Sequence, residues 1–200
     1  MVILVFLALL LGILYGYNGL SFLDFFVQND GYILDILLVA VGISIGIGMN
    51  KGLLAKIKEY NFKIFIVPIG VIIGTTLGGI ICSFILKMDM NVTTAIVSGY
   101  GWYSLSGIIM TELTGSATLG SITFLSNLMR EIMTYLLVPF LAKKLNYVTA
   151  IAPGGATSID TTLPMISKYT NDETVIFSVM SGFVCSTLVP VFINLWYKLL

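Results

Sequence analysis

The sequence predicts an all-α integral membrane protein with about five full transmembrane helices and two broken or re-entrant segments, the layout of an inverted-repeat secondary transporter. Three observations carry this reading. Hydrophobic residues make up 58% of the 200 and charged ones only 10%, whereas about 25% of an ordinary soluble domain is charged. Apolar runs near the ~20 residues needed to cross a bilayer recur with no long polar stretch between them. Two of the later runs are interrupted, at Gly99 and Gly101 and again at Pro153, Gly154 and Gly155. The expected organisation is one membrane transport domain, residues 1–200, set as a multi-pass protein in the inner or plasma membrane of the cell.

Val2 to Tyr17 reads as a retained first helix, because no basic stretch precedes it and no small-residue cleavage site follows. Gly31 to Met49 reads as the second, with Gly42, Gly46 and Gly48 suited to close helix packing. The loop "NKGLLAKIKEYNFK" sets four lysines against one glutamate and belongs in the cytoplasm by the positive-inside rule. The preceding loop, Gly19 to Asp30, carries Asp24 and Asp30 and no base, which places it outside and the N-terminus inside. Asp35 falls at the membrane interface. A third helix, Ile64 to Leu86, contains the small-residue run "GTTLGGIICSF" and leads to an outside turn at Lys87 to Asn91.

Val92 to Leu113 is rich in Gly, Ser and Thr and forms the first broken segment. Thr118 to Ala142 is a helix despite Arg130 and Glu131, and it ends at Lys143 and Lys144. Those two lysines reach the cytoplasm only if Val92 to Leu113 dips into the membrane and returns. Tyr147 to Pro164 is the second broken segment, since Pro153, Gly154 and Gly155 interrupt any helix near its middle. Thr174 to Tyr197 is the last helix. Interrupted segments approaching mid-membrane from opposite faces mark the binding site of a secondary transporter. Irregular backbone at that depth persists only where protein or a water-filled cavity satisfies it.

Several function classes are excluded or weakened by composition. Histidine is absent, which removes the commonest general base and metal ligand, and no metal or cofactor is expected. Net charge is zero with no basic stripe, so nucleic acid is not an expected partner. Cys82 and Cys185 lie in apolar segments as small packing residues. Gly99-Tyr100-Gly101 resembles part of a potassium-channel filter, but such a filter needs four copies around one axis and no second break or buried acids. A membrane serine hydrolase built on "SLSG" lacks a histidine base, and an aspartyl protease would need a second aspartate beside Asp160. An ion channel and a non-transporting scaffold subunit remain as alternatives to a transporter, and an enzyme is not expected.

Four ionisable groups lie in or beside the apolar segments: Glu112, Arg130, Glu131 and Asp160. Each costs about 2.5–3.5 kcal/mol at mid-membrane, so each calls for a partner or a cavity. Asn127 and Glu131 share one helix face at i and i+4. Arg130 points about 100° away, toward another element and an ion pair with a carboxylate such as Glu112 or Asp160. Glu131 and Asp160 are then the candidates for handling a proton or a cation. Ser158 or Asp160 could also cap a half-helix starting near Thr161. Ser104, Ser106, Thr157, Ser158, Thr161 and Thr162 flank the two breaks as a polar cradle, and Trp102 and Tyr103 are cavity walls or interfacial anchors.

Three blocks, "SGYGWYSLSGIIMTE" (Ser98 to Glu112), "FLSNLMREI" (Phe124 to Ile132) and "GGATSIDTTLP" (Gly154 to Pro164), resemble in order and spacing the signatures of the LysO-type lysine exporter family. The resemblance covers the chain from about Ile33 onward. It implies proton-driven export of L-lysine and cationic analogues such as thialysine from the cytoplasm, by antiport. The matching positions are Glu112, Arg130, Glu131 and Asp160. Some relatives carry Asp where this chain has Asn127, which leaves proton handling to Glu131 or Asp160. Better-known relatives have about three further helices ahead of the shared domain, so a homodimer or a small separate membrane subunit is the implied partner. The bare chemistry agrees: carboxylates suit the two ammonium groups of lysine, and a half-helix N-terminus or Arg130 suits its carboxylate.

Overall fold

The computed structural model describes residues 2–18, 36, 39, 43 and 61–199. All regular structure among them is helical. The second expected helix, the acidic loop before it, the basic loop after it up to residue 60 and Asp35 lie outside the described residues, apart from the exposed helical positions Ile36, Val39 and Ile43. The chain divides into two compact units, Met1–Gly46 and Ile47–Leu200. In the first, α1 (Val2–Asn18) is the expected apolar helix one residue longer, and it exposes Leu7, Leu10, Leu11 and Leu14.

The described part of the second unit begins with a 3₁₀ turn, Asn61–Phe65, that feeds α2 (Ile66–Leu86). One stripe of α2 is apolar and exposed, through Ile66, Ile69, Ile73, Leu77 and Ile81, while Val67, Val71, Gly79 and Ser83 are buried. Of the small-residue run, Gly79 makes the close approach: a Cβ there would stand 2.8 Å from Val97 Cγ2 and 2.9 Å from the Thr94 Cα. The helix stops at Lys87, whose left-handed backbone lets its N–H return to the Ser83 carbonyl.

The chain then turns into α3 (Met90–Val97), loses helical form over residues 98–102, and resumes as α4 (Tyr103–Thr114). The break falls where the glycines predict it, with φ of +48° at Tyr100 and +94° at Gly101. Next comes α5 (Ala117–Lys144), capped by Ser116 accepting the Leu119 N–H at 3.3 Å and finished by Lys143 and Lys144 at its negative end. Its 28 residues make it ~42 Å long, more than a hydrocarbon core.

The second broken segment is two 3₁₀ turns, Thr149–Ile151 and Gly155–Ile159, followed by the short α6 (Leu163–Tyr169). Helix α6 begins two residues later than the expected half-helix, because Pro164 fits only its first positions. Last is α7 (Asp172–Leu199), with Asp172 and Glu173 at its positive end. By length and hydropathy, Lys63–Leu86 and Asp172–Leu199 can each cross a bilayer.

Helix α5 places most of its polar groups inward and an apolar stripe outward. Helix α5 buries Thr123, Asn127, Glu131 and Thr134 and exposes Ile122, Leu125, Met129, Met133, Leu136 and Phe140. The buried Thr123, Asn127 and Thr134 are all hydrogen-bonded, and the exposed apolar stripe is one that lipid solvates better than water. Helix α3 packs against α2, α5 and α7, while α4 lies on α5 and α7. The turn Gly155–Ile159 lies on α7, where a Cβ at Gly182 would meet the Ile159 backbone. Asn91 Nδ2 donates to the Tyr197 carbonyl at 3.4 Å, which brings the start of α3 to the C-terminal end of α7.

Two glycines with similar backbone make a test of the second break. Gly115 (φ +64°) has open space around it, whereas a Cβ at Gly155 (φ +55°) would run into the Tyr100 carbonyl. Gly115→Ala is expected to cost about 1 kcal/mol of conformational strain. Gly155→Ala adds overpacking and is expected to cost about 2 kcal/mol or more beyond that. Thermal unfolding of both variants in detergent measures the difference, and equal shifts would mean that the two breaks do not touch.

Candidate functional site

Breaking a helix leaves carbonyls and N–H groups without partners, and each such group at membrane depth costs several kcal/mol if unpaired. Helix α5 supplies the partners. Asn127 uses both ends of its amide at the first break: Oδ1 accepts the Gly101 N–H at 2.9 Å, and Nδ2 donates to the Ile96 carbonyl at 2.9 Å and to Thr123 O, one turn back, at 3.0 Å. Gly99 must be glycine for this amide to come so close, since a Cβ would fall 2.5 Å from Asn127 Nδ2.

Arg130 does the same for the second break. Its Nε donates to the Pro153 carbonyl at 3.0 Å, Nη2 reaches the Ala152 carbonyl at 3.4 Å, and Nη1 donates to Thr75 Oγ1 on α2 at 3.0 Å. The sequence suggested a carboxylate partner for Arg130. Backbone carbonyls take that place instead, because the ended 3₁₀ turn presents them in a cluster that a forked guanidinium matches. The two breaks also touch directly, the Ala156 N–H donating to the Tyr100 carbonyl at 2.8 Å.

The acids gather on the other side of the breaks. Glu131 is 2% exposed, and its Oε2 has no hydrogen-bond partner. The Thr161 side chain stands beside it. Asp160, by contrast, is exposed, and its carboxylate accepts the Thr161 N–H. Tyr135, one turn beyond Glu131 on α5, donates its hydroxyl to the Thr161 carbonyl at 2.6 Å. Tyr103, at the start of α4, lies within electrostatic reach of Glu131, Asp160 and Tyr135, and its ring meets Phe124 edge-on at 5.2 Å. Two acids, two phenols and a hydroxyl, from α4, α5 and the second broken segment, therefore lie within electrostatic reach of one another.

The remaining sequence-predicted residues divide. Glu112 is exposed near the end of α4, apart from this cluster. Ser106 is fully buried and donates to the Tyr103 carbonyl at 3.4 Å, while Ser104 is partly exposed in the first turn of α4. Thr157 donates to the Gly154 carbonyl at 2.8 Å and shares a 3.3 Å hydrogen bond with Thr162. Ser158 caps no helix; its hydroxyl donates to the carbonyls of Gly155 and, on α7, Ser178. In return the Ser178 hydroxyl donates to the Ser158 carbonyl at 2.7 Å. These hydroxyls hold backbone. Sequence reasoning missed Thr75, Ser178 and Tyr135; only Tyr135 carries a readable signal, its i+4 spacing from Glu131.

The sequence profile of the family described as "Lysine exporter LysO" matches residues 6–197. Over 183 residues the chain is 37% identical to the lysine exporter LysO of Escherichia coli (strain K12), covering 92% of this chain and 60% of that protein. Over 186 residues it is 34% identical to a Haemophilus influenzae protein named "Putative lysine exporter", covering 92% of this chain and 91% of that one. The chain thus spans less than two thirds of the Escherichia coli relative. No solved structure matches.

The Asn127 clamp makes a direct forecast. Asn127→Ala leaves the Gly101 N–H and the Ile96 carbonyl unpaired, at about 1–3 kcal/mol for each buried group. Thermal unfolding in detergent is expected to register a loss of at least about 2 kcal/mol. A loss below about 0.5 kcal/mol would show that the first break does not depend on this side chain.

Proposed function

The chain belongs to the lysine exporter LysO family, and on that premise we propose that it is a secondary transporter carrying L-lysine and cationic analogues such as thialysine out of the cytoplasm in exchange for protons. The observation that carries this is the position of Asp160: an exposed carboxylate at the end of a broken segment, within electrostatic reach of two phenols. A carboxylate pairs with an ammonium group, and aromatic rings add cation–π attraction. Arg130 is spent on carbonyls, so the substrate carboxylate falls to the first turn of α4 at Ser104, since the Tyr103 and Ser106 N–H groups already donate to the Gly101 and Trp102 carbonyls.

In this reading the protein sits in the cell membrane with about five crossings, and the two broken segments meet between them. A second copy or a small membrane subunit completes the assembly. The exposed apolar stripes of α2 and α5 support immersion in lipid, and the polar interior supports a solute path.

Counterflow of labelled lysine in proteoliposomes, competed by arginine, ornithine and alanine, tests the substrate class. Cationic competitors are expected to reduce the signal and alanine to leave it. Asp160→Asn is expected to lower counterflow at least about tenfold, the factor that corresponds to ~1.4 kcal/mol of lost binding, with folding intact. Undiminished counterflow in that variant removes Asp160 from the site, and no counterflow in the unaltered protein favours a scaffold. For topology, single cysteines at Lys87 and Lys143 are expected to label from opposite sides. Labelling from one side would turn the re-entrant segment between them into a full crossing.

A further inference from the structure

We infer that Tyr103 sets which cation the site prefers, its phenolic oxygen accepting a hydrogen bond from the substrate's side-chain ammonium and so favouring a primary ammonium over a guanidinium. The inference rests on the export reading above and assigns its selectivity.

Two phenols lie within electrostatic reach of Glu131 and Asp160, and they are not equivalent. The Tyr135 hydroxyl is committed, donating to the Thr161 carbonyl at 2.6 Å. Among the described residues the Tyr103 hydroxyl makes no hydrogen bond. The rest of Tyr103 is fixed. Its N–H donates to the Gly101 carbonyl at 3.0 Å, and its own carbonyl accepts the Ser106 hydroxyl at 3.4 Å. Gly101 is held in turn by Asn127. The ring meets Phe124 of α5 edge-on, with centroids 5.2 Å apart, and the side chain is partly exposed. A phenol packed this way ordinarily finds a partner for its oxygen. A held backbone, a braced ring and an uncommitted oxygen beside two acids are the features of a preorganised binding group.

The chemistry of the two cations then separates them. A primary ammonium is a compact charge with three donors. Asp160 takes one of these, and the Tyr103 oxygen is placed to take a second. A guanidinium spreads its charge over a plane, seats its fork on a carboxylate, and gains from ring faces more than from a single oxygen. The ring of Tyr103 therefore attracts either cation, and its hydroxyl favours the ammonium. A site built around such an acceptor discriminates against ligands that leave it unused.

Counterflow of labelled lysine in proteoliposomes, competed by unlabelled lysine, arginine and Nε-trimethyllysine, tests this in the unaltered chain, Tyr103→Phe and Tyr135→Phe. In the unaltered protein lysine is expected to compete at least about fivefold better than arginine, a factor in keeping with one hydrogen bond to a charged group. Nε-trimethyllysine keeps the charge and has no donor on it, so it is expected to compete at least about fivefold less well than lysine, and this arm needs no variant. Tyr103→Phe retains the ring and is expected to weaken lysine selectively, bringing the lysine-to-arginine ratio within about twofold of unity. Tyr135→Phe frees the Thr161 carbonyl and is expected to lower both counterflow and unfolding temperature while that ratio stays as in the unaltered protein, the mark of a positioning residue. An unchanged ratio in Tyr103→Phe, the same narrowing in Tyr135→Phe, or Nε-trimethyllysine competing as well as lysine each overturns the inference and leaves the export reading standing. Failure of counterflow in the unaltered protein overturns both.

Discussion

The structure depends on satisfying backbone groups at two places where helices stop in the middle of the packed unit. Nothing in a hydrocarbon environment can hydrogen-bond those groups, so the protein must. One helix does most of it: Asn127 and Arg130, one turn apart on α5, each hold one break. A single backbone hydrogen bond, from the Ala156 N–H to the Tyr100 carbonyl, joins the breaks to each other. The irregular backbone becomes a fixed surface, and the acids beside it are positioned by the same helix.

This arrangement explains why α5 carries so much polarity for a helix of its length. Its faces have different duties: an apolar stripe from Ile122 to Phe140 is exposed, Asn127 and Arg130 hold the breaks, and Glu131 and Tyr135 line the acid cluster. A helix facing only lipid and apolar neighbours would need none of these groups. Helix α7 performs a simpler version, with Ser178 and Ser158 exchanging reciprocal hydroxyl–carbonyl bonds that tie the second broken segment to it. Glycines mark the close approaches, Gly79 between α2 and α3 and Gly182 beneath Ile159.

The positions of helices and breaks were legible in the sequence because hydrophobic length and the Gly and Pro interruptions are local signals. Residues 66–86, 117–144 and 172–199 fall within a few residues of the expected helices, and both breaks fall on their glycines. The grouping of Glu131 with Asp160 was legible as a pair of costly charges, and their separate environments were not. Partners are non-local, and the sequence offers no spacing that ties Arg130 to the carbonyls of Ala152 and Pro153, or to Thr75 fifty-five residues earlier. Charge arithmetic favoured an ion pair for Arg130, whereas a cluster of ended carbonyls satisfied the guanidinium equally well. The serines and threonines beside the breaks looked like a solute cradle, and in several of them geometry turned the hydroxyls back onto the chain.

The amide at position 127 has a consequence for the acids. Its two hydrogen bonds to the first break need one acceptor and one donor, the carbonyl oxygen for the Gly101 N–H and the amide nitrogen for the Ile96 carbonyl. An aspartic acid in its place could supply both only while protonated, and on ionising it would turn a lone pair toward the Ile96 carbonyl and lose that bond. Asparagine makes the pairing independent of pH. The first break therefore keeps its geometry whatever the local proton concentration, and the nearest acid on that face is one turn along, at Glu131. An uncharged amide at the break, with the acid one turn further along α5, keeps the groups that hold the backbone distinct from the charged groups beside it.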